Sequence, residues 1–276
     1  MRWVTGAAMS ACDDLGMIET AAPALPAAAL AEGSRWRLAA ASLRRPYRVT
    51  LPMAALVLLV PLYVFIAELI PEGAVHAPEL ALDRAIAVRP EWALVYGCLY
   101  LFLIVLPVLV VREDALIRRT VHAYLFVWIS AYACFLLYPT VAPRPDRVAG
   151  DGFAAWGLRF LYGADPPYNC FPSLHVAHSF VSAFAVRRVN RRLGTTAAAC
   201  AALVALSTLY TRQHYVADVA AGILLAEAAW LLFLRRAGEA PEDDRRAAPV
   251  LALGAAALVA LAAACFWAAY RLLPPS

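Results

Sequence analysis

The sequence predicts an all-α protein, a polytopic helical bundle in a bilayer, and three observations carry that prediction. Of the 276 residues, 63% are hydrophobic and only 16% are charged, against about 25% charged in soluble domains. Mean hydropathy is +0.66. The apolar residues gather into seven runs that approach the roughly 20 residues a helix needs to cross about 30 Å of hydrocarbon. All 24 cationic residues are arginines, and they cluster between those runs. This composition excludes an ordinary soluble protein. Arginines flanking apolar runs suit bilayer-edge loops and argue against a nucleic-acid partner.

The first 48 residues read as a cytoplasmic tail, because Asp13, Asp14 and Glu19 interrupt any secretory-signal pattern. Within the tail, Ala27 to Arg45 reads either as an interfacial helix with Trp36 and Leu38 facing lipid or as an alanine-rich disordered leader. The expected spans are Val49 to Ile70, Trp92 to Val111, Val121 to Tyr138, Pro172 to Val186, Thr195 to Thr211, His214 to Leu234 and Pro249 to Leu273. The fourth is short, and it lengthens through Asn190 if Arg187 and Arg188 snorkel toward headgroups. Residues 49–235 read as the main membrane domain, 236–248 as a solvated cytoplasmic linker and 249–276 as an additional membrane helix. Of the six cysteines, Cys98, Cys134, Cys200 and Cys265 lie in apolar runs, Cys12 lies near the N-terminus and Cys170 stands alone in a polar loop. No disulfide framework follows from that distribution.

Basic residues resist translocation, so their distribution orients the bundle. With the N-terminus inside, 17 of the 24 arginines fall on the cytoplasmic side. Parity then gathers three distant segments on the opposite, exterior face. The loop from Thr140 to Phe171 carries Arg144, Phe171-Pro172-Ser173-Leu174-His175 opens the fourth span, and Thr211 to Asp218 opens the sixth.

The residue types there suit phosphoryl transfer. His214 and Asp218 are four apart at a helix start and share one face. The carboxylate can accept an imidazole N–H, fixing the tautomer and sharpening the other nitrogen as a nucleophile. Ser173 is a good N-cap, and the free N–H groups behind it form an anion site. Arg144 and Arg212 supply forked donors that match phosphate oxygens.

These residues resemble the type-2 phosphatidic acid phosphatase superfamily. Arg144-Pro145, Pro172-Ser173-Leu174-His175, and His214 with Asp218 match its three motifs in order and topology, over roughly Val49 to Leu234. The family lysine falls at Leu137 and a family arginine at Thr208, so both cations are missing; Arg212 is a candidate substitute. Leu174 and the His-Tyr-x-x-Asp form look more like the inositol phosphorylceramide synthase branch.

The resemblance implies a six-helix family core plus the seventh, C-terminal helix. It also implies a mechanism without metal or other cofactor. His214 attacks phosphorus to give a phosphohistidine, and Asp218 stabilises the charged ring. His175 protonates the leaving oxygen and then activates the acceptor. Arg144, Ser173 and Arg212 hold the phosphoryl oxygens. The expected partners are the bilayer, a lipid substrate and, for transfer, a lipid hydroxyl acceptor. A lipid phosphatase acting on phosphatidate, a phosphoglycerol lipid or a polyprenyl diphosphate is the alternative reading, and a lipid transporter the alternative from another class. Location follows as an integral protein of a bacterial inner membrane, its site facing the periplasm or exterior. His178 reads as structural, and Glu227 as a span residue that must be protonated or paired within the bundle.

Overall fold

A computed structural model of the chain describes residues 35–44, 59–70 and 73–272. The described residues are helical and form no named strand. Ten α-helices follow in order: α1 Arg35–Leu43, α2 Val60–Glu68, α3 Ala81–Ala85, α4 Trp92–Val110, α5 Asp114–Leu137, α6 Phe153–Ala164, α7 Leu174–Val189, α8 Arg191–Tyr210, α9 Val216–Ala229 and α10 Glu242–Leu272. A π-helical turn, Trp230–Leu234, extends α9. Five of these are long and apolar enough to cross a membrane: α4, α5, α8, α9 with its π turn, and α10. The chain is thus an all-α integral membrane bundle. The expected first span is described only from residue 59, and most of the expected tail also lies outside the described residues.

α7 is the centre of the bundle, packing against α4, α5, α8 and α9. It is short, and eleven of its sixteen residues are buried, including Ala177, Ser179, Ser182, Ala183 and Ala185. Small side chains let neighbouring helices approach closely, and a helix sheathed by protein can carry hydroxyls that lipid would not tolerate. Ser182 Oγ lies 2.7 Å from the Tyr124 hydroxyl and donates to the His178 carbonyl at 3.0 Å. His178 itself stacks on Tyr124 with ring centroids 4.5 Å apart.

The α7–α8 turn is a single residue. Asn190 takes extended geometry, and its Oδ1 accepts the Leu193 N–H at 3.0 Å, so one residue closes α7 and caps α8. Gly194 makes this possible, since a Cβ there would lie 2.3 Å from the Arg187 Cα. α7 and α8 therefore run antiparallel in near contact, with their arginines gathered at one end.

Two helices begin earlier than their apolar runs. Glu113 caps α5 by accepting the Ala115 and Leu116 N–H groups at 2.9 and 2.6 Å. α10 starts at Glu242, where Glu242, Asp243 and Asp244 complement the positive end of the helix dipole. Much of the expected linker is thus the first turns of a helix. α1 exists within the stretch read as interfacial, but Leu38 is buried and α1 packs on α10.

Candidate functional site

The three segments that parity placed on one face do meet. α8 ends at Tyr210, and Arg212 adopts a left-handed backbone (φ 52°) that reverses the chain. The Gln213 and His214 N–H groups then donate to the Thr208 carbonyl at 2.9 and 3.3 Å. Helix α9 starts immediately afterwards, and Asp218 Oδ2 reaches back to accept the Tyr215 N–H at 2.9 Å. The same carboxylate oxygen lies 3.3 Å from His214 Nδ1. The four-residue spacing thus does two jobs: it closes the helix start and orients the imidazole.

The second motif is tied directly to the third. The Ser173 N–H donates to the Asp218 carbonyl at 3.0 Å, and Ser173 Oγ caps α7 by accepting the Val176 N–H at 3.4 Å. His175 Nδ1 consequently lies 3.2 Å from His214 Nε2. With Nδ1–H donating to Asp218, His214 keeps its Nε2 lone pair on the His175 side. His214 and Asp218 are buried, whereas His175 is partly accessible between Tyr96 and Tyr100, whose ring centroids lie 5.3 and 4.9 Å away.

Gly222 sets the distance between α9 and the start of α7. A Cβ at this position would lie 2.6 Å from the Ser173 carbonyl oxygen. Gly222→Ala must move one of the two backbones, and overpacking of this kind costs about 1–3 kcal/mol. The expected result is a lower unfolding midpoint together with a loss of turnover. A purified variant with wild-type values for both would show that this approach is not required.

Both arginines make contacts within the protein. Arg144 donates to the Tyr162 and Asp165 carbonyls at 3.1 and 2.8 Å, to the Pro166 carbonyl at 3.4 Å and to Gln213 Oε1. It also faces Asp165 Oδ2 at 3.6 Å and lies 4.8 Å over the Tyr162 ring. Burial pushes the Asp165 carboxyl above its ordinary range, while Arg144 and the Tyr63 hydroxyl pull it back. Arg144 therefore braces the loop beside His214 and reaches the site through Gln213. Arg212 donates to the Asp83 carbonyl at 3.0 Å.

Four further residues, to which the sequence assigned no role in the site, support it. Buried Asp83 accepts the Val216 N–H at 2.8 Å and so holds the start of α9. Gln213 links Arg144 to the segment carrying His214. Tyr63 donates to Asp165 Oδ1 at 3.0 Å. Cys170 is buried close by; its Sγ, a His214 nitrogen and an Asp218 oxygen all lie within 4.8 Å of one another. Burial pushes its thiol well above the ordinary range, which keeps it neutral. Gln213 is adjacent to a motif residue, which was a usable signal; Asp83 and Tyr63 are more than a hundred positions away and gave none.

A family model described as the PAP2 superfamily matches residues 75–232, which is more than half of the chain and contains every residue just described except Tyr63. A PA-phosphatase related-family protein of Dictyostelium discoideum is 30% identical over 111 residues, covering 35% of this chain and 20% of that relative. The chain thus matches about a fifth of the relative's length. No solved structure matches. The paired histidines, their carboxylate and the matched family model agree, and the chain belongs to the PAP2 superfamily.

Proposed function

We propose that the protein is a membrane enzyme that transfers the phosphoryl or phospho-headgroup of a lipid through a phosphohistidine on His214. The observation that carries this reading is the His175–His214–Asp218 chain, with contacts of 3.2 and 3.3 Å across two helix starts. A transporter that only holds headgroups has no use for a carboxylate-oriented imidazole facing a second imidazole. The site faces the non-cytoplasmic side, supported by the arginine bias toward the opposite ends of the helices.

In the reaction a phosphate group enters between the two rings and replaces their hydrogen bond. His214 Nε2 attacks phosphorus and the bond to the leaving oxygen breaks. Asp218 stabilises the positive charge that develops on the ring. His175 donates the proton that the leaving oxygen takes up, then removes one from the acceptor hydroxyl as that oxygen attacks phosphorus and frees His214. The N–H groups at the start of α7, behind the Ser173 cap, donate to the phosphoryl oxygens and stabilise the negative charge there. Arg144 adds positive field through Gln213. Arg212 serves by fixing the reverse turn before His214.

The form Pro172-Ser173-Leu174-His175 with His214-Tyr215-x-x-Asp218 favours transfer to a lipid hydroxyl of the inositol phosphorylceramide synthase type. Hydrolysis of phosphatidate, a phosphoglycerol lipid or a polyprenyl diphosphate is the second reading. One experiment separates them: purified protein in detergent, a panel of phospholipids, with and without a hydroxylated lipid acceptor, and products identified by mass. A new acceptor-dependent phospholipid is expected, unchanged by EDTA. Free phosphate without any acceptor would favour hydrolysis, and an unaltered panel would remove the enzymatic reading.

A further inference from the structure

At the other end of α7, about 18 Å along the helix from His175 at 1.5 Å per residue, a second polar site has been left unexplained. A cavity of about 390 Å³ opens there between the ends of α7 and α9 and the start of α8. Arg187, Arg188, Arg191, Glu227, Phe184 and Trp230 line it. Gly194 brings the α7 and α8 arginines together at this point.

The charges in this cavity are unsatisfied in a particular way. The Arg188 guanidinium is anchored on the Ala237 carbonyl. Arg187 and Arg191 are exposed and make no ion pair among the described residues. Glu227 makes none either, although it was expected to be paired or protonated inside the bundle; it is exposed on α9 and faces this cavity. A neighbouring cavity shows the contrast, because its carboxylate, Glu239, is already paired with Arg245 at 2.9 Å. Glu227 lies on a membrane helix, where an unpaired carboxylate is costly, so a cationic group held in this cavity would stabilise it.

We infer that this cavity binds a phospholipid whose phosphate carries a primary amine, with the phosphate on Arg187 and Arg191 and the ammonium on Glu227. A purely anionic headgroup would satisfy the arginines but would bring a second negative charge beside Glu227. A trimethylated headgroup carries the positive charge but no N–H to donate. The phosphoethanolamine pattern uses both signs, and Phe184 and Trp230, with ring centroids 6.2 Å apart, line the same cavity and would offer the glycerol region an aromatic surface. The inference extends beyond the proposed chemistry and does not depend on it, since no residue of this cavity belongs to the histidine site.

The test is binding without turnover. Full-length, delipidated protein is titrated in detergent with phosphatidylethanolamine, phosphatidylcholine and phosphatidylglycerol of matched chains, and bound lipid is read by native mass spectrometry. Phosphatidylethanolamine is expected to bind most tightly. Glu227→Gln should weaken it about tenfold, the scale of one charge-assisted hydrogen bond, and leave phosphatidylglycerol unchanged or stronger. Arg187→Gln with Arg191→Gln should weaken all three. Both positions are exposed, and unchanged unfolding midpoints would confirm intact folds. Tighter binding of either other lipid by the wild type, or a Glu227→Gln variant with unaltered phosphatidylethanolamine affinity, would overturn the assignment.

Discussion

His214→Ala is expected to lose turnover by about 10⁴-fold or more, the scale seen when a covalent nucleophile is removed. The loss follows from position. Nε2 belongs to the imidazole whose Nδ1 is held by a buried carboxylate at 3.3 Å, and among the described residues it is the ring nitrogen that meets His175. A phosphoenzyme gives the direct readout. Wild-type protein quenched during reaction with labelled substrate should carry acid-labile, base-stable label, and the variant should carry none. Folding must be checked beside it, because Asp218 also holds the Tyr215 N–H and would lose a neighbour. Wild-type rates from a properly folded variant would refute the covalent assignment.

The second large effect concerns His175→Ala. General acid–base catalysis typically contributes about 10² to 10⁴ in rate, or roughly 3–5 kcal/mol of barrier. The full loss is expected with a lipid alkoxide, whose oxygen needs a proton as it departs. A nitrophenyl phosphate ester leaves without one, so the variant should retain much more of its activity on that substrate. Equal losses on both would mean that His175 acts by holding His214 in place and not by moving a proton. The distinction matters because the 3.2 Å contact between the rings is compatible with either role before substrate arrives.

The bundle and its family were legible because the signals are local or modular. Apolar runs mark α4, α5, α8, α9 and α10, and the spacing of His214 and Asp218 within one helix start already fixes their contact. α7 was harder to read as a span, with only sixteen residues and buried serines, because its surroundings are protein and not lipid. Helix starts were read late at α5 and α10 since hydropathy ignores caps: Glu113 and the acidic turn at Glu242 start helices in polar sequence. Arg144 and Arg212 show a different limit. Their charge was visible, but a guanidinium spends its donors on whatever carbonyls the fold supplies. Those include the backbone carbonyls of Tyr162, Asp165, Pro166 and Asp83 and the side-chain oxygen of Gln213.

Two things about this protein were settled by its sequence alone: that it is a membrane helical bundle, and that its two motif histidines share a face. Composition dictates the first because bare backbone cannot be left in hydrocarbon, and the parity of crossings dictates the second. Only the tertiary structure decided how close the histidines come. That distance depends on Gly222 admitting the Ser173 carbonyl and on Asp83 holding the start of α9 from more than a hundred residues away. Contacts of that kind depend on backbone packing between helices, for which hydropathy and spacing carry no signal.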